Sequence, residues 1–85
     1  NPKYAEAYNN RGVAYGRDLG EYRQAIRDFD RAIELNPKYA EAYNNRGNVY
    51  VRLGNNQWAI NDYKAAARMG HKPAQDFLKS NGISW

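Results

Sequence analysis

The chain has 85 residues, of which 42% are hydrophobic and 26% are charged, and its formal net charge is +4 at pH 7. This length allows one domain with a thin core, and the absence of cysteine excludes disulfide bonds and thiolate metal sites. No run of about 18 apolar residues is present, which excludes a membrane-spanning helix.

The sequence contains an internal repeat. Residues 1–12 and residues 36–47 both read NPKYAEAYNNRG. Because exposed positions are free to vary, identity over the whole block indicates a recent duplication or an engineered array rather than a constraint of the fold. We divide the chain, as one domain, into repeat one (1–35), repeat two (36–70) and a capping segment (71–85).

The two repeats differ in length by one residue. Tyr15 corresponds to Tyr50 at an offset of 35 residues, whereas Leu19 corresponds to Leu53 at an offset of 34. Asp18 is the natural candidate for the inserted residue. It predicts a longer loop or a π-helical bulge in the first helix, or an exchange of helices between two chains.

The first half of each repeat predicts a helix. Asn1 and Asn36 are good N-cap residues, and each precedes a proline at the expected first helical position. Gly20 and Gly54 end these helices, because glycine tolerates the left-handed conformation that follows a helix. The aromatic stripes of the two helices are Tyr4, Tyr8, Gly12 and Tyr15, and then Tyr39, Tyr43, Gly47 and Tyr50.

The second half of each repeat also predicts a helix, with apolar residues at spacings of three and four. These residues are Tyr22, Ala25, Ile26, Phe29, Ala32 and Ile33, and then Ala59, Ile60, Tyr63, Ala66 and Ala67. Gly70 ends the fourth helix, Pro73 begins a fifth, and Asn81 and Gly82 end it, so that Ile83 can fold back onto it. The expected fold is all-α with five helices.

Glycine and arginine occupy unusual positions in the first helices. Gly12 and Gly47 lie inside helices, where glycine costs about 1 kcal/mol relative to alanine. We expect the aromatic rings of Phe29 and Tyr63 to approach them; a hinge is the alternative.

Two arginines lie beside the apolar stripes, where a charge needs a partner. We predict that Arg11 pairs with Asp28 and that Arg46 pairs with Asp62, because both pairs recur in register. The alternative is that both arginines bind a phosphate or carboxylate of a ligand.

The two units resemble the tetratricopeptide repeat family. The family pattern is an aromatic residue, a Leu-Gly pair, Tyr, Ala, a second aromatic and Pro. The matching residues are Tyr8, Gly12, Tyr15, Ala25, Phe29 and Pro37, and then Tyr43, Gly47, Tyr50, Ala59 and Tyr63. Arg11 and Arg46 stand where the pattern has leucine. The resemblance covers nearly all of residues 1–70 and implies antiparallel helix-turn-helix repeats stacked as a short right-handed superhelical solenoid with a concave groove.

The groove predicts a function in protein–protein interaction, as a module or scaffold fragment that binds a peptide or protein segment. The resemblance implies that the first helices line the groove, and their helical wheel selects the residues. These are Glu6, Asn9, Asn10, Val13, Arg17, Glu41, Asn44, Asn45, Asn48 and Arg52. Asparagine amides both donate and accept hydrogen bonds, so they suit the backbone of an extended peptide.

Two further classes of function remain open. Self-association into a homo-oligomer would use the uncovered face of the first helix, and Trp58, whose counterpart is Gln24, is a possible interface residue. Trp58 could instead cover the C-terminal cap near Trp85. RNA binding is the third class, suggested by the basic charge, and steep salt dependence would identify it.

No catalytic constellation is present, so we expect no enzyme activity and no cofactor. His71 is the single histidine and predicts a linker position rather than a metal ligand. The sequence begins at Asn1, so we expect a portion of a longer protein or a processed chain. The absence of cysteine fits a reducing cytosol and a secreted repeat protein alike; of the two we favour the cytoplasm.

Overall fold

The computed structural model describes residues 2–85 and contains helices and no strand in that range. Asn1, a predicted N-cap, lies outside the described residues. The elements are α1 (Pro2–Val13), a π-helical turn (Ala14–Asp18), α2 (Tyr22–Leu35), α3 (Ala40–Arg52), α4 (Asn56–Arg68) and α5 (Lys72–Ser80). The all-α helical-repeat architecture predicted from the sequence is confirmed.

Small side chains bring the helices together. Helix α1 packs on α2 and α3 packs on α4, while α2 also packs on α3 and α5 covers α4. The interface alanines are almost completely buried: Ala25, Ala32, Ala59, Ala66 and Ala67. Because alanine places little bulk between helix axes, the closely spaced helices can bury the rings of Phe29 and Tyr63 between them.

The predicted close approach of aromatic rings to the helical glycines is confirmed. A Cβ atom on Gly12 would lie 2.7 Å from Cε1 of Phe29, and one on Gly47 would lie 2.9 Å from Cε1 of Tyr63. Both distances are too short for carbon atoms in contact. The glycines therefore serve packing between the paired helices, and the hinge alternative is not needed to explain them.

The extra residue of repeat one is accommodated in a π-helical turn. The backbone N–H of Leu19 donates to the carbonyl of Ala14 at 3.2 Å, five residues earlier. Past this turn a corresponding hydrogen bond closes both hairpins, from the backbone N–H of Glu21 to Tyr15 and from that of Asn55 to Tyr50. Gly20 and Gly54 follow the two first helices with φ angles of +66° and +80°, as predicted. Of the alternatives for Asp18, the bulge within the first helix is the one observed.

The predicted N-cap at Asn36 is wrong. Helix α3 begins at Ala40 rather than at Pro37. The backbone N–H of Asn36 donates to the carbonyl of Ala32 at 2.9 Å, so Asn36 closes the last turn of α2. Its side chain accepts from the backbone two residues later and stabilises a turn. The chain must reverse direction between α2 and α3, and the residues that would start a helix are used for that reversal.

The C-terminal segment forms the predicted capping helix. Ala74 and Leu78 of α5 are completely buried against α4. After α5, Gly82 has a φ angle of +68°, and the backbone N–H of Ile83 donates to the carbonyl of Leu78 at 2.9 Å. Ile83 thereby folds back onto the core, as predicted. The apolar end of α4 is covered.

Candidate functional site

A groove runs between the first helices of the two repeats and encloses a cavity of about 470 Å³. We call it the α1–α3 groove. Its lining includes five of the ten predicted groove residues: Val13, Arg17, Asn45, Asn48 and Arg52. Gly16, Val49 and Val51 add an apolar floor. The cavity therefore combines aliphatic surface with two amides and two guanidinium groups.

Asn9 is a correction to the predicted groove. Its side chain is only 1% exposed, and its Oδ1 accepts a hydrogen bond of 3.1 Å from Nδ2 of Asn45. Asn9 is thus buried where α1 meets Asn45 of α3. An amide that joins two repeats is not available to a ligand.

The other four predicted residues do not line the cavity. Glu6 and Glu41 are exposed beside the Tyr39 ring; burial raises the pKa of Tyr39, and the two carboxylates raise it further. Asn10 is exposed and Asn44 is half-buried. The groove is thus confined to the C-terminal halves of the two first helices.

The groove amides are oriented by the protein. The hydroxyl of Tyr63 donates a hydrogen bond of 2.6 Å to Oδ1 of Asn48, which leaves the NH₂ group of Asn48 for a ligand. Nδ2 of Asn45 is bound to Asn9, which leaves its Oδ1. Burial raises the pKa of Tyr63, so the hydroxyl stays protonated and able to donate. The internal hydrogen bonds therefore leave the Nδ2 donor group of Asn48 and the Oδ1 acceptor of Asn45 unused at two residues that line the cavity.

Two guanidinium groups make the mouth of the groove positive. Arg17 is exposed, and its one ion pair within the described part of the chain is with the neighbouring Asp18, at 3.2 Å. Such an exposed pair is weak, so Arg17 can exchange it for a ligand. Arg52 forms no ion pair with the residues that the structure describes. The mouth can receive a carboxylate.

The predicted ion pairs are present. Nε and Nη2 of Arg11 each lie 2.8 Å from the carboxylate of Asp28. Arg46 binds Asp62 in the same two-pronged way, at 2.9 and 2.8 Å, and reaches Asp30 with Nη1 at 2.8 Å. Their carboxylate partners raise the pKa of both arginines. These bonds connect the paired helices, and Arg46 also connects the two repeats.

Burial also changes the pKa of one of the carboxylates that these arginines bind. Desolvation raises the pKa of Asp62, and the Arg46 guanidinium only partly counteracts it. No side-chain polar atom that is buried among the described residues lacks a hydrogen-bond partner. Arg46 therefore has its donors committed to the protein, which favours the structural interpretation over ligand binding.

A second cavity, of about 500 Å³, lies between α2 and α4 and was not predicted. Trp58, the possible interface residue, lies at its edge together with Asp30 and Glu34. Both acids belong to α2. The available signal was the comparison between repeats, because Lys64 and Arg68 occupy the corresponding positions in repeat two.

The described residues contain no group of three or more His, Asp or Glu side chains that could hold a metal ion. His71 is half-buried at the N-terminus of α5, the linker position expected. None of the helices in residues 2–85 combines the length and apolar composition that crossing a membrane requires.

Comparison with known families agrees with the repeat geometry. A model described as TPR repeat matches residues 16–54, and a model described as tetratricopeptide repeat matches residues 40–69. No curated protein matches the chain. Tetratricopeptide repeats generally mediate protein–protein interactions and form a non-catalytic family. The two matches together cover most of the five-helix solenoid, and the chain belongs to the tetratricopeptide repeat family.

Proposed function

We propose that the chain is a protein-interaction module whose α1–α3 groove binds an extended segment of a partner protein. The observation that carries the proposal is the pair of oriented amides, Asn45 and Asn48, in the wall of the cavity. An extended peptide presents alternating backbone donors and acceptors, and this pair offers one of each.

The lining also favours a particular peptide composition. Val13 and Val51 supply apolar surface for one aliphatic side chain of the peptide. Arg17 and Arg52 supply positive charge at the mouth, which suits an aspartate or glutamate next to that aliphatic residue. The expected ligand is an extended segment in which acidic and aliphatic residues are adjacent.

A peptide-display selection against the whole chain tests the proposal. We expect the selected peptides to carry acidic residues beside aliphatic ones, and to shift the NMR signals of groove residues such as Gly16 and Asn48. The double variant Asn48→Ala/Arg52→Ala should bind them at least about tenfold more weakly, because a hydrogen-bonded charge contributes about 1.5–3 kcal/mol.

The matched control removes one amide and one guanidinium elsewhere. Asn10→Ala/Arg23→Ala makes the same chemical change at exposed positions outside the groove. It should leave binding unchanged. Equal binding by the groove variant and the wild type, or equal losses in both double variants, would reject the proposal.

Self-association through the uncovered face of α1 is a second candidate, and the duplicated sequence favours it. Ala42 of α3 is completely buried, but Ala7, the corresponding residue of α1, is exposed. Likewise Tyr4 is 62% exposed, whereas its counterpart Tyr39 is half-buried. A second copy of the chain could cover this apolar surface.

Sedimentation over a wide concentration range tests self-association. A dimer that Ala7→Glu dissociates would support self-association, because a buried carboxylate without a partner is costly. A monomer of 9.8 kDa at every concentration would exclude it. Neither result alters the expectation for peptide binding in the α1–α3 groove.

A further inference from the structure

The cavity between α2 and α4 is separate from the α1–α3 groove. The two cavities share no lining residue, and on α3 they use different faces: Arg46 and Tyr50 on one side, Asn48 and Arg52 on the other. With a volume of about 500 Å³, the α2–α4 cavity is as large as the groove. The family assignment gives it no role.

An exposed tryptophan forms one wall of this cavity. Trp58 lies in the first turn of α4, and its side chain is 56% exposed. Its backbone N–H donates a hydrogen bond to the side chain of Asn55, which caps the helix. Its ring meets Tyr50 edge to face, with centroids 5.4 Å apart. Repeat one has Gln24 at the corresponding position, so the repeat itself does not require an aromatic residue there. The indole is therefore held in place while much of its surface stays open.

The charge of the cavity is opposite to that of the chain. Three carboxylates and one guanidinium line it, namely Asp30, Glu34, Asp62 and Arg46, so the lining has a formal net charge of −2. The whole chain carries +4. In repeat two the positions of Asp30 and Glu34 hold Lys64 and Arg68, so the negative charge is particular to this site.

The carboxylates differ in their availability. Arg46 binds both Asp62 and Asp30 and holds them in position. Glu34 forms no hydrogen bond or ion pair with the described residues. A cation that enters the cavity would find an open carboxylate at Glu34 and the remaining lone pairs of Asp30.

We propose that the α2–α4 cavity binds an arginine side chain of a partner protein. The planar guanidinium would stack on Trp58 and donate hydrogen bonds to Glu34 and Asp30. Arginine suits the site better than lysine, because its flat guanidinium stacks on aromatic rings and meets carboxylates with paired donors. This site acts independently of the groove, so a partner could contact both faces of the solenoid.

Titration with defined tripeptides tests the proposal. The protein carries Trp85→Phe, so that Trp58 is the single indole. The probe is N-acetylated, C-amidated glycyl-arginyl-glycine, and the control probe has citrulline, a neutral analogue, in place of arginine. We expect the arginine peptide to shift the indole N–H signal of Trp58 saturably and the citrulline peptide to produce no saturable shift. Equal binding of the two probes would overturn the proposal.

Variants then locate the site. Trp58→Gln introduces the residue that repeat one already carries, and Glu34→Gln removes the open carboxylate; backbone amide shifts report binding to both. Each should weaken binding about threefold or more, in line with an exposed cation–π contact or charge pair. Glu41→Gln makes the same charge change outside the cavity and should leave binding unchanged. Circular dichroism verifies folding, which these exposed positions should preserve.

Three results would contradict an arginine site here. One is unchanged binding by the Trp58 and Glu34 variants, and another is an equal loss with Glu41→Gln. The third is a set of shifts confined to the α1–α3 groove, which would mean that the peptide binds there instead.

Discussion

At the scale of single residues, packing of the second helix of each repeat against the first explains the glycines and arginines inside the first helices. Gly12 and Gly47 accept the rings of Phe29 and Tyr63, and the arginine that precedes each glycine binds an aspartate on the same paired helix. The ring contact and the ion pair therefore join the same two helices at adjacent residues. The arrangement recurs in both repeats because each repeat has the same pair of helices to connect.

Substitution of the two glycines should show how closely each ring approaches. A Cβ atom on Gly47 would lie 3.2 Å from the backbone carbonyl of Ala59 as well as against Tyr63, whereas the three atoms nearest to one on Gly12 all belong to the Phe29 ring. A ring can shift, but backbone moves less easily. We expect Gly47→Ala to lower the free energy of unfolding by about 2 kcal/mol, and Gly12→Ala to lower it less, both measured in urea.

Helix propensity makes the opposite prediction for these variants. Alanine is favoured over glycine within a helix by about 1 kcal/mol. An increase in stability on Gly47→Ala would therefore show that the ring does not press on the helix. Combining Gly12→Ala with Phe29→Leu, which removes the contacting ring atoms, serves as the control and should recover part of the loss.

Tyr63 should make the protein lose stability at alkaline pH. Burial raises its pKa above the ordinary value of 10.0, so the folded state keeps a proton that the unfolded state loses. The associated stability is complete below about pH 10 and is lost as pH rises from there through the folded pKa. Tyr63→Phe should cost about 1 kcal/mol at pH 7, through the lost bond to Asn48.

The difference in the free energy of unfolding between the wild type and Tyr63→Phe should therefore become smaller as the pH rises. The wild type should lose stability faster than Tyr63→Phe above pH 10, measured by urea unfolding at a series of pH values. Burial also raises the pKa of Tyr39 and Tyr50, so both proteins should weaken. A gap that stays constant to pH 11 would contradict the expectation, and the exposed Tyr4→Phe provides a control.

At the scale of helices, one identical stretch of sequence takes different conformations in the two repeats. The block NPKYAEAYNNRG is helical from its proline at residue 2, but from residue 40 in the second copy. The second copy follows α2 directly and must first turn the chain. The first helix of repeat one also contains a π-helical turn that α3 lacks, because Asp18 adds a residue before a hairpin of fixed geometry.

Deletion of Asp18 should convert the π-helical turn into a regular helical turn. The shortened repeat one would have the 34-residue period and the hydrogen bonds of repeat two. Since π-helical turns are rare and less favourable than α-helical ones, we expect the thermal unfolding midpoint to rise with the helical content retained.

The matched control removes a residue where nothing is inserted. Deletion of Arg52 from α3 should shift the following hairpin out of register and lower the midpoint. Equal destabilisation by both deletions would mean that repeat one depends on the π-helical turn and that Asp18 is not a simple insertion.

At the scale of the whole molecule, the two ends of the solenoid differ. Helix α5 covers the end at α4, whereas α1 presents Ala7 and Tyr4 to solvent. Between the repeats, Arg46 of α3 binds Asp30 of α2 at 2.8 Å. Arg11 occupies the corresponding position on α1, so a helix placed before α1 should carry a carboxylate where α2 carries Asp30.

Fusing an extra copy of residues 1–35 to the start of the chain tests whether α1 can accept a further repeat. The added α2 would bury Ala7 and offer Asp30 to Arg11, so the unfolding midpoint should rise. Asp30→Lys in the added copy should remove part of the gain, because it places a cation against Arg11. Glu21→Lys in the added copy, an equal charge change at an exposed position, is the control. No gain from the fusion would show that the face of α1 does not accept a repeat.

The sequence by itself determined the number and type of the elements, the glycine contacts and the Arg–Asp pairs. These follow from periodicity and from residues that recur in register, since each repeat must satisfy the same local packing. Only the tertiary structure decided which members of the groove face are open. Asn9 is buried and hydrogen-bonded to Asn45 of α3, and α3 begins at Ala40 because the chain must reverse after α2. The cavity beside Trp58 likewise arises from the spacing between α2 and α4, which depends on how two repeats stack and is not encoded in either one.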